Sequence, residues 1–150
     1  MAASAARTTI IADQLSWLAL RMVPGLGPRR AVPLVRQFRS AEAVFHASTH
    51  ELMAAGLPGS LAQSIASGVS YEEAADQAER VKRAGAVLVT ILDPAYPEQL
   101  RQIYDPPLLL FARGRIELMS RTGLGVVGTR RPTPYGIAAT SHVPSGNITL

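Results

Sequence analysis

Apolar positions in the first half of the chain recur at helical spacing, and in the second half they condense into short runs. In "IADQLSWLALRMV", Ile11, Leu15, Leu18 and Met22 fall four, three and four apart, the stripe of an amphipathic helix. Pro24 and Gly25 end it. "PRRAVPLVRQF" opens on a proline at the first helical position, where a missing N–H costs nothing. It gathers Ala31, Leu34, Val35 and Phe38 on one face, with Arg29, Arg30 and Arg36 largely off it. Pro33 is expected to bend or delay that helix. Ser48 with Glu51, and Ser70 with Glu73, have capping-box form. In such a box the serine accepts from the third helical N–H and the glutamate accepts from the serine's own. Gly56 and Gly85 stand just past the helices these boxes open, where a left-handed C-terminal glycine belongs. "LPGSLAQSIASG" supplies another short helix between them. The pattern predicts a compact bundle of four or five short helices over residues 10–68 and a bridging helix over 69–84.

After Gly85 the period changes. "AVLVTI" reads as a short buried strand, "PEQLRQI" as a short helix and "LLLFA" as a second strand. "LGVVG" reads as a third strand, entering the loop "VVGTRRPTPYG". The fold class is therefore mixed, α followed by α/β, with residues 85–140 forming the second region.

Composition narrows the chemistry. The 150 residues are 47% hydrophobic and 17% charged, which suits a folded rather than a disordered chain. The absence of cysteine excludes disulfides and cysteine metal sites. His46 and His50 could share a helix face, but no carboxylate joins them in a zinc-ligand pattern, so no metal is expected. No apolar run approaches the ~20 residues of a membrane span. "MAASAARTTI" lacks the apolar core of a signal peptide, and the expected location is the cytoplasm.

The net charge of +4 is modest, but its distribution is uneven. Arg21, Arg29, Arg30, Arg36 and Arg39 form a stretch without an acid. Arg101, Arg113, Arg115, Arg121, Arg130 and Arg131 face only Asp105 and Glu117. Two basic zones point to a polyanion, or else to two solvated faces.

Two segments carry the candidate chemistry. "VPGLGPRRA", residues 23–31, joins two helices through Gly25 and Gly27 and resembles a helix-hairpin-helix. Glycines permit the tight turn, and the second helix offers its positive end to a phosphate, with Arg29 and Arg30 beside it. The alternative is a tight turn whose glycines serve packing. "AAGLPGSLAQSIA" looks like a degenerate second copy without a nearby cation and reads as structural. In the loop from Gly128 to Gly136, Thr129 offers a hydroxyl and Arg130 a planar fork suited to phosphate. Pro134 suits a helix beginning near Tyr135, which could stack on a base or anchor the loop in the core. Gly136 would let that helix pack closely on the sheet. "GLGVVG" matches G-x-G-x-x-G formally, but the strand lies inside the match rather than before it, so no dinucleotide cofactor is expected.

With these residues in view the chain resembles the N-terminal half of the DprA (Smf) family of bacterial DNA-processing proteins, over roughly residues 10–140. The resemblance rests on "VPGLGPRRA", on a D-x-x-YP-x-x-L pattern at Asp93, Tyr96, Pro97 and Leu100, and on a G-[ST]-R-x-x-[ST]-x-YG pattern. The last places Gly128, Thr129, Arg130, Thr133, Tyr135 and Gly136 in register. It implies a SAM-like helical domain, then a Rossmann-like parallel sheet. It also implies a non-catalytic protein that binds single-stranded DNA and helps load the RecA recombinase in natural transformation. Carried over, Arg130 is the main phosphate contact, with Arg131 held more loosely. Gly128, Thr129 and Gly136 would shape the loop, and Tyr135 would support it. From about Ser141 the family pattern stops, so residues 141–150 read as a non-family tail and the whole as a truncated form. An uncovered strand edge and a weakly stable C-terminal third are then expected. Two other functions compete. One is a nucleotide N-glycoside hydrolase, which needs an acid that the loop lacks, since none follows Glu117. The other is a helical protein-interaction module over residues 10–68.

Overall fold

The computed structural model describes residues 13–121, 129–142 and 148–149. The first helix, α1, is helical over 13–22. Leu18 is buried as its stripe predicts, with Leu15 and Met22 partly buried, while Ile11 lies outside the described residues. Burial also takes in Trp17, Ala19 and Leu20. More than one face is covered, because Ser16 bonds the Tyr71 hydroxyl on one side (2.9 Å) and Arg21 stacks over Phe111 on another (5.5 Å).

Helix α2 spans Pro28–Phe38 with Pro28 in its first turn and Ala31, Val32, Leu34 and Val35 buried. Pro33 does not delay it. The ring removes one helical hydrogen bond, and the apolar face on both sides of it remains packed in the core. Helix α3, Ala41–His46, starts where Ser40 accepts from the Ala43 N–H (3.0 Å). Helix α4, Thr49–Ala54, carries the predicted box: Ser48 Oγ accepts from Glu51 N–H at 3.2 Å and Glu51 Oε2 accepts from Ser48 N–H at 2.8 Å. The Ser48 hydroxyl also donates to Glu51 Oε2 (2.7 Å), and this bond together with the Ser48 N–H bond holds the Glu51 carboxyl below its ordinary value. Gly56 follows in the left-handed region (φ 94°), as does Gly85 (φ 62°). Helix α5 spans Gly59–Ala66 and buries Leu61, Ala62 and Ile65.

Helix α6, Tyr71–Arg83, is the predicted bridge, but its capping box does not form. Ser70 has right-handed helical backbone angles rather than the extended ones of a cap, and its buried hydroxyl has no hydrogen-bond partner among the described residues. The cause lies upstream. A turn at Gly68 (φ 64°) feeds straight into the helix through Tyr71 N–H to Gly68 C=O (3.0 Å). The charges of α6 still follow its dipole, with Glu72 and Glu73 in the first turn and Arg80, Lys82 and Arg83 in the last.

Strands β1, Val87–Thr90, and β2, Leu109–Gly114, stand close to where the apolar runs predict them. Their sense corrects the expectation of a parallel sheet: they pair antiparallel, with Val87 opposite Ala112 and Thr90 opposite Leu109. A parallel pair needs a crossover, usually along a substantial helix. The connection here holds only the short helix α7, Glu98–Arg101, and folds back on itself. The strand predicted within 123–128 lies outside the described residues. A 3-10 turn, Ile116–Leu118, follows β2. Helix α8 spans Pro134–Ser141, and β3, Ile148–Thr149, pairs antiparallel with Arg113 and Gly114.

One apolar cluster runs from Trp17 to Met119 and includes side chains of the helices and of both long strands. At its rim Phe45 packs on Tyr71 with ring centroids 4.7 Å apart. Among the described residues no helix is long and apolar enough to cross a membrane.

Candidate nucleic-acid interface

The hairpin between α1 and α2 is a packed, rigid turn. Gly25 adopts φ 80°, a region L side chains avoid, and a Cβ there would meet Leu61 Cδ2 of α5 at 3.4 Å. Leu26 is buried, and its N–H bonds the Val23 carbonyl (3.1 Å). Gly27 is different. It sits at the N-cap of α2 with ordinary extended angles, and among the described residues no atom beyond its own chain neighbours and helix backbone comes within 4 Å of a Cβ position. So one glycine is required by the turn and the other leaves the helix end open. Among the described residues no side chain caps that end. Arg29 and Arg30 are exposed beside it. Arg30 Nη1 donates back to the Gly25 carbonyl at 3.4 Å, and the Arg29 guanidinium lies 4.8 Å over the ring of Tyr104.

That second contact ties the hairpin to the segment leading into β2. Between them runs an open groove of about 780 Å³, floored by Leu26, Ala31, Leu108 and Leu110 and edged by Arg21 and Asp105. The degenerate second copy turns its apolar side chains inward. Leu57, Leu61, Ala62 and Ile65 are all buried, so it belongs to the core.

The second predicted set lies on the loop before α8. Gly128 is outside the described residues. Thr129 Oγ1 donates to the Arg131 carbonyl (2.9 Å), which folds the loop and commits the hydroxyl proton internally. Arg130 and Arg131 are exposed on that fold. Thr133 Oγ1 accepts from Gly136 N–H at 3.2 Å, capping α8, with Pro134 in its first turn. Sequence reasoning misses this capping role of Thr133, although a threonine directly before a proline at a helix start is a readable signal. Tyr135 is 83% exposed and does not anchor the loop in the core. Among the described residues, a Cβ on Gly136 would meet only Thr133 Oγ1 at 3.5 Å and Pro132 Cβ at 4.0 Å. The close helix–sheet contact expected at Gly136 is therefore not seen there.

The ion pairs among the described residues are Glu42–His46, Glu98–Arg101 and Glu117–Arg115, and none involves Arg29, Arg30, Arg130 or Arg131. No hydrogen bond, ion pair or ring contact among the described residues joins the hairpin set to the loop set. Nor do those residues bring together three His, Asp or Glu side chains able to hold a metal.

The D-x-x-YP-x-x-L segment forms an internal clasp. Asp93 Oδ2 accepts from Thr90 N–H at 2.6 Å, and the Asp93 carbonyl accepts from Tyr96 N–H at 3.1 Å and Arg101 Nη2 at 2.8 Å. Tyr96, buried, donates its hydroxyl to the Pro107 carbonyl at 2.7 Å and carries the Arg101 guanidinium over its ring (5.5 Å). Burial pushes the Tyr96 phenol up, with Arg101 opposing, so at neutral pH it is protonated and donates. The motif fixes how β1 returns to β2 and so places Tyr104 and the groove.

Residues 87–148 match the family described as DNA recombination-mediator protein A, and the match begins at the first residue of β1. The DNA processing protein DprA of Bacillus subtilis (strain 168) is 41% identical over 63 residues, covering 41% of this chain and 21% of that protein. The DNA processing protein DprA of Streptococcus pneumoniae is 39% identical over 57 residues, covering 38% of this chain and 20% of that protein. Protein Smf of Synechocystis is 29% identical over 129 residues, 83% of this chain and 32% of that protein. The matches thus span about a fifth to a third of the length of these relatives. With the clasp motif and the Thr-Arg loop both in place, residues 87–148 carry the likeness to the DNA recombination-mediator protein A family, and the chain is similar to DprA and Smf proteins over part of their length.

Proposed function

We propose that the chain binds single-stranded DNA without catalysis, as the portion of a DNA-processing protein that takes up DNA strands and hands them to a RecA-type recombinase. In this reading residues 10–68 form a SAM-like helical domain, and 85–140 are the first part of a Rossmann-like one. The observation that carries it is the loop at 129–136. Two exposed arginines stand on an internally bonded turn, free of any carboxylate among the described residues, within the family's own motif. An arginine fork so placed suits phosphate oxygens, and contacts of that kind position a strand without reading its sequence. Thr129 and Gly136 shape the turn through their bonds to Arg131 and Thr133, and Tyr135, exposed beside the arginines, is available to a base. The hairpin arginines, Arg29 and Arg30, add a second positive surface. The recombinase step is suggested by the family's description as a recombination mediator.

The experiment is a fluorescence-anisotropy titration of labelled oligo-dT at low salt, with the wild-type chain and Arg130→Ala. A roughly tenfold or greater loss is expected for removing a charged phosphate contact. Equal affinity of the two proteins would remove Arg130 from the interface.

A further inference from the structure

We propose that Tyr104, backed by Arg29, is a platform on which one base of a single-stranded nucleic acid stacks. The inference rests on the single-stranded-DNA reading and adds a base contact at a position no sequence motif marks.

Tyr104 is 82% exposed although it is a large aromatic side chain, and it sits in the segment between α7 and β2. Its one ring partner among the described residues is the guanidinium of Arg29, 4.8 Å away. A ring covered on one face by a cation and still so exposed must present its other face to solvent. That bare face is what a nucleobase needs, because stacking requires a π surface and not a particular hydrogen-bond pattern.

The cation behind the ring serves the same ligand. A guanidinium that stacks by its flat side keeps its N–H donors around the edge, where a phosphate oxygen can reach them. Among the described residues no carboxylate lies within ion-pair distance of Arg29, so its charge is not neutralised internally. Arg30 is held by its bond to the Gly25 carbonyl, and no side chain among the described residues caps the end of α2 from which both arginines extend. Stacking surface and phosphate-facing charge therefore meet at one spot. The placement is also stiff. Gly25 packs on Leu61, and the Tyr96 hydroxyl bond to Pro107 fixes the chain that carries Tyr104. A protein partner could also use an arginine–tyrosine pair, but Arg29 has no ion-pair partner among the described residues, Asp105 at the groove edge included, which favours a polyanion.

The test compares oligo-dT with an abasic strand of equal length, which keeps the phosphates and lacks the bases. Both are titrated against the wild-type chain, Tyr104→Phe, Tyr104→Leu and Arg130→Ala. Tyr104→Leu should bind oligo-dT about fivefold or more weakly, the scale of one base–aromatic stack, and bind the abasic strand as wild type does. Tyr104→Phe keeps the ring and should match wild type on both strands. Because the side chain is exposed, thermal melting of both variants should be unchanged. Unaltered oligo-dT binding by Tyr104→Leu would overturn the platform, and would leave the patch to a protein partner. An equal loss on both strands would overturn it too, since no base would then be sensed. If Arg130→Ala weakens both strands while Tyr104→Leu changes neither, the platform fails and the loop reading stands. If Tyr104→Leu separates the strands while Arg130→Ala is silent, the platform stands and the loop reading fails.

Discussion

Removing a single oxygen from Tyr96 should loosen the α/β part of the molecule by a definite amount. Tyr96→Phe keeps the buried ring, so no cavity forms, and deletes only the hydroxyl that donates to the Pro107 carbonyl at 2.7 Å. Tyr96 is 3% exposed, so water does not readily replace the lost donor. A net hydrogen bond is worth about 1 kcal/mol, and leaving its buried acceptor unpaired raises the cost to about 1–3 kcal/mol. A loss of roughly 1.5 kcal/mol is expected, which for a chain of this size lowers the melting temperature by about 3–6 °C. The assay is urea denaturation followed by far-ultraviolet circular dichroism and by fluorescence of Trp17, which is buried in the helical part. The midpoint should fall at unchanged slope by both probes, because one apolar cluster joins the helices to the strands. Tyr96→Ala, which also empties the ring's volume, should cost about 3–5 kcal/mol. A Tyr96→Phe midpoint equal to wild type would refute the clasp. A shift in the circular-dichroism transition alone would refute the single cooperative core.

Ser48→Ala should destabilise the fold by about 1 kcal/mol, the usual worth of an N-cap, measured as a shift in the same midpoint. Because Glu51 has its carboxyl pKa lowered by the Ser48 bonds, its contribution is full above its ordinary value of 4.5 and is lost as pH falls through the folded-state value. The gap between wild type and Ser48→Ala should therefore narrow in acid, and a gap that widens there would contradict the assignment. Gly25→Ala forces a side chain into positive φ against Leu61 and should cost about 1–2 kcal/mol, whereas Gly27→Ala, with ordinary angles and open space, should cost well under 1 kcal/mol. Equal melting temperatures for the two variants would show that the hairpin is not the packed turn described.

What was legible in the sequence was local. Proline at the start of α2, the Ser48–Glu51 box and the glycines at 56 and 85 act through bonds a few residues long, and each lies where its chemistry requires. Ser70 shows the limit of such signals. It has the same S-x-x-E spacing, yet the turn at Gly68 presets its backbone as helical, and a cap needs an extended residue. Strand positions were legible from apolar runs, but strand sense was not. Direction depends on the path of residues 91–108, and that path is set by Asp93, Tyr96 and Arg101 bonding across it. The positive ends of the candidate interface could be read from arginine spacing. Tyr104 could not, since its partner Arg29 is distant in sequence and meets it only when hairpin and β2 are both folded.

The salt dependence of oligo-dT binding by the wild-type chain and by an Arg130→Ala, Arg131→Ala double variant bears most directly on single-stranded-DNA binding through the loop. For wild type, the logarithm of the binding constant should fall linearly with the logarithm of salt concentration. The double variant should bind more weakly, with a slope shallower by about 0.7 for each phosphate it no longer neutralises. Failure of the wild-type chain to bind at low salt, or an identical affinity and slope for the two proteins, would contradict the account.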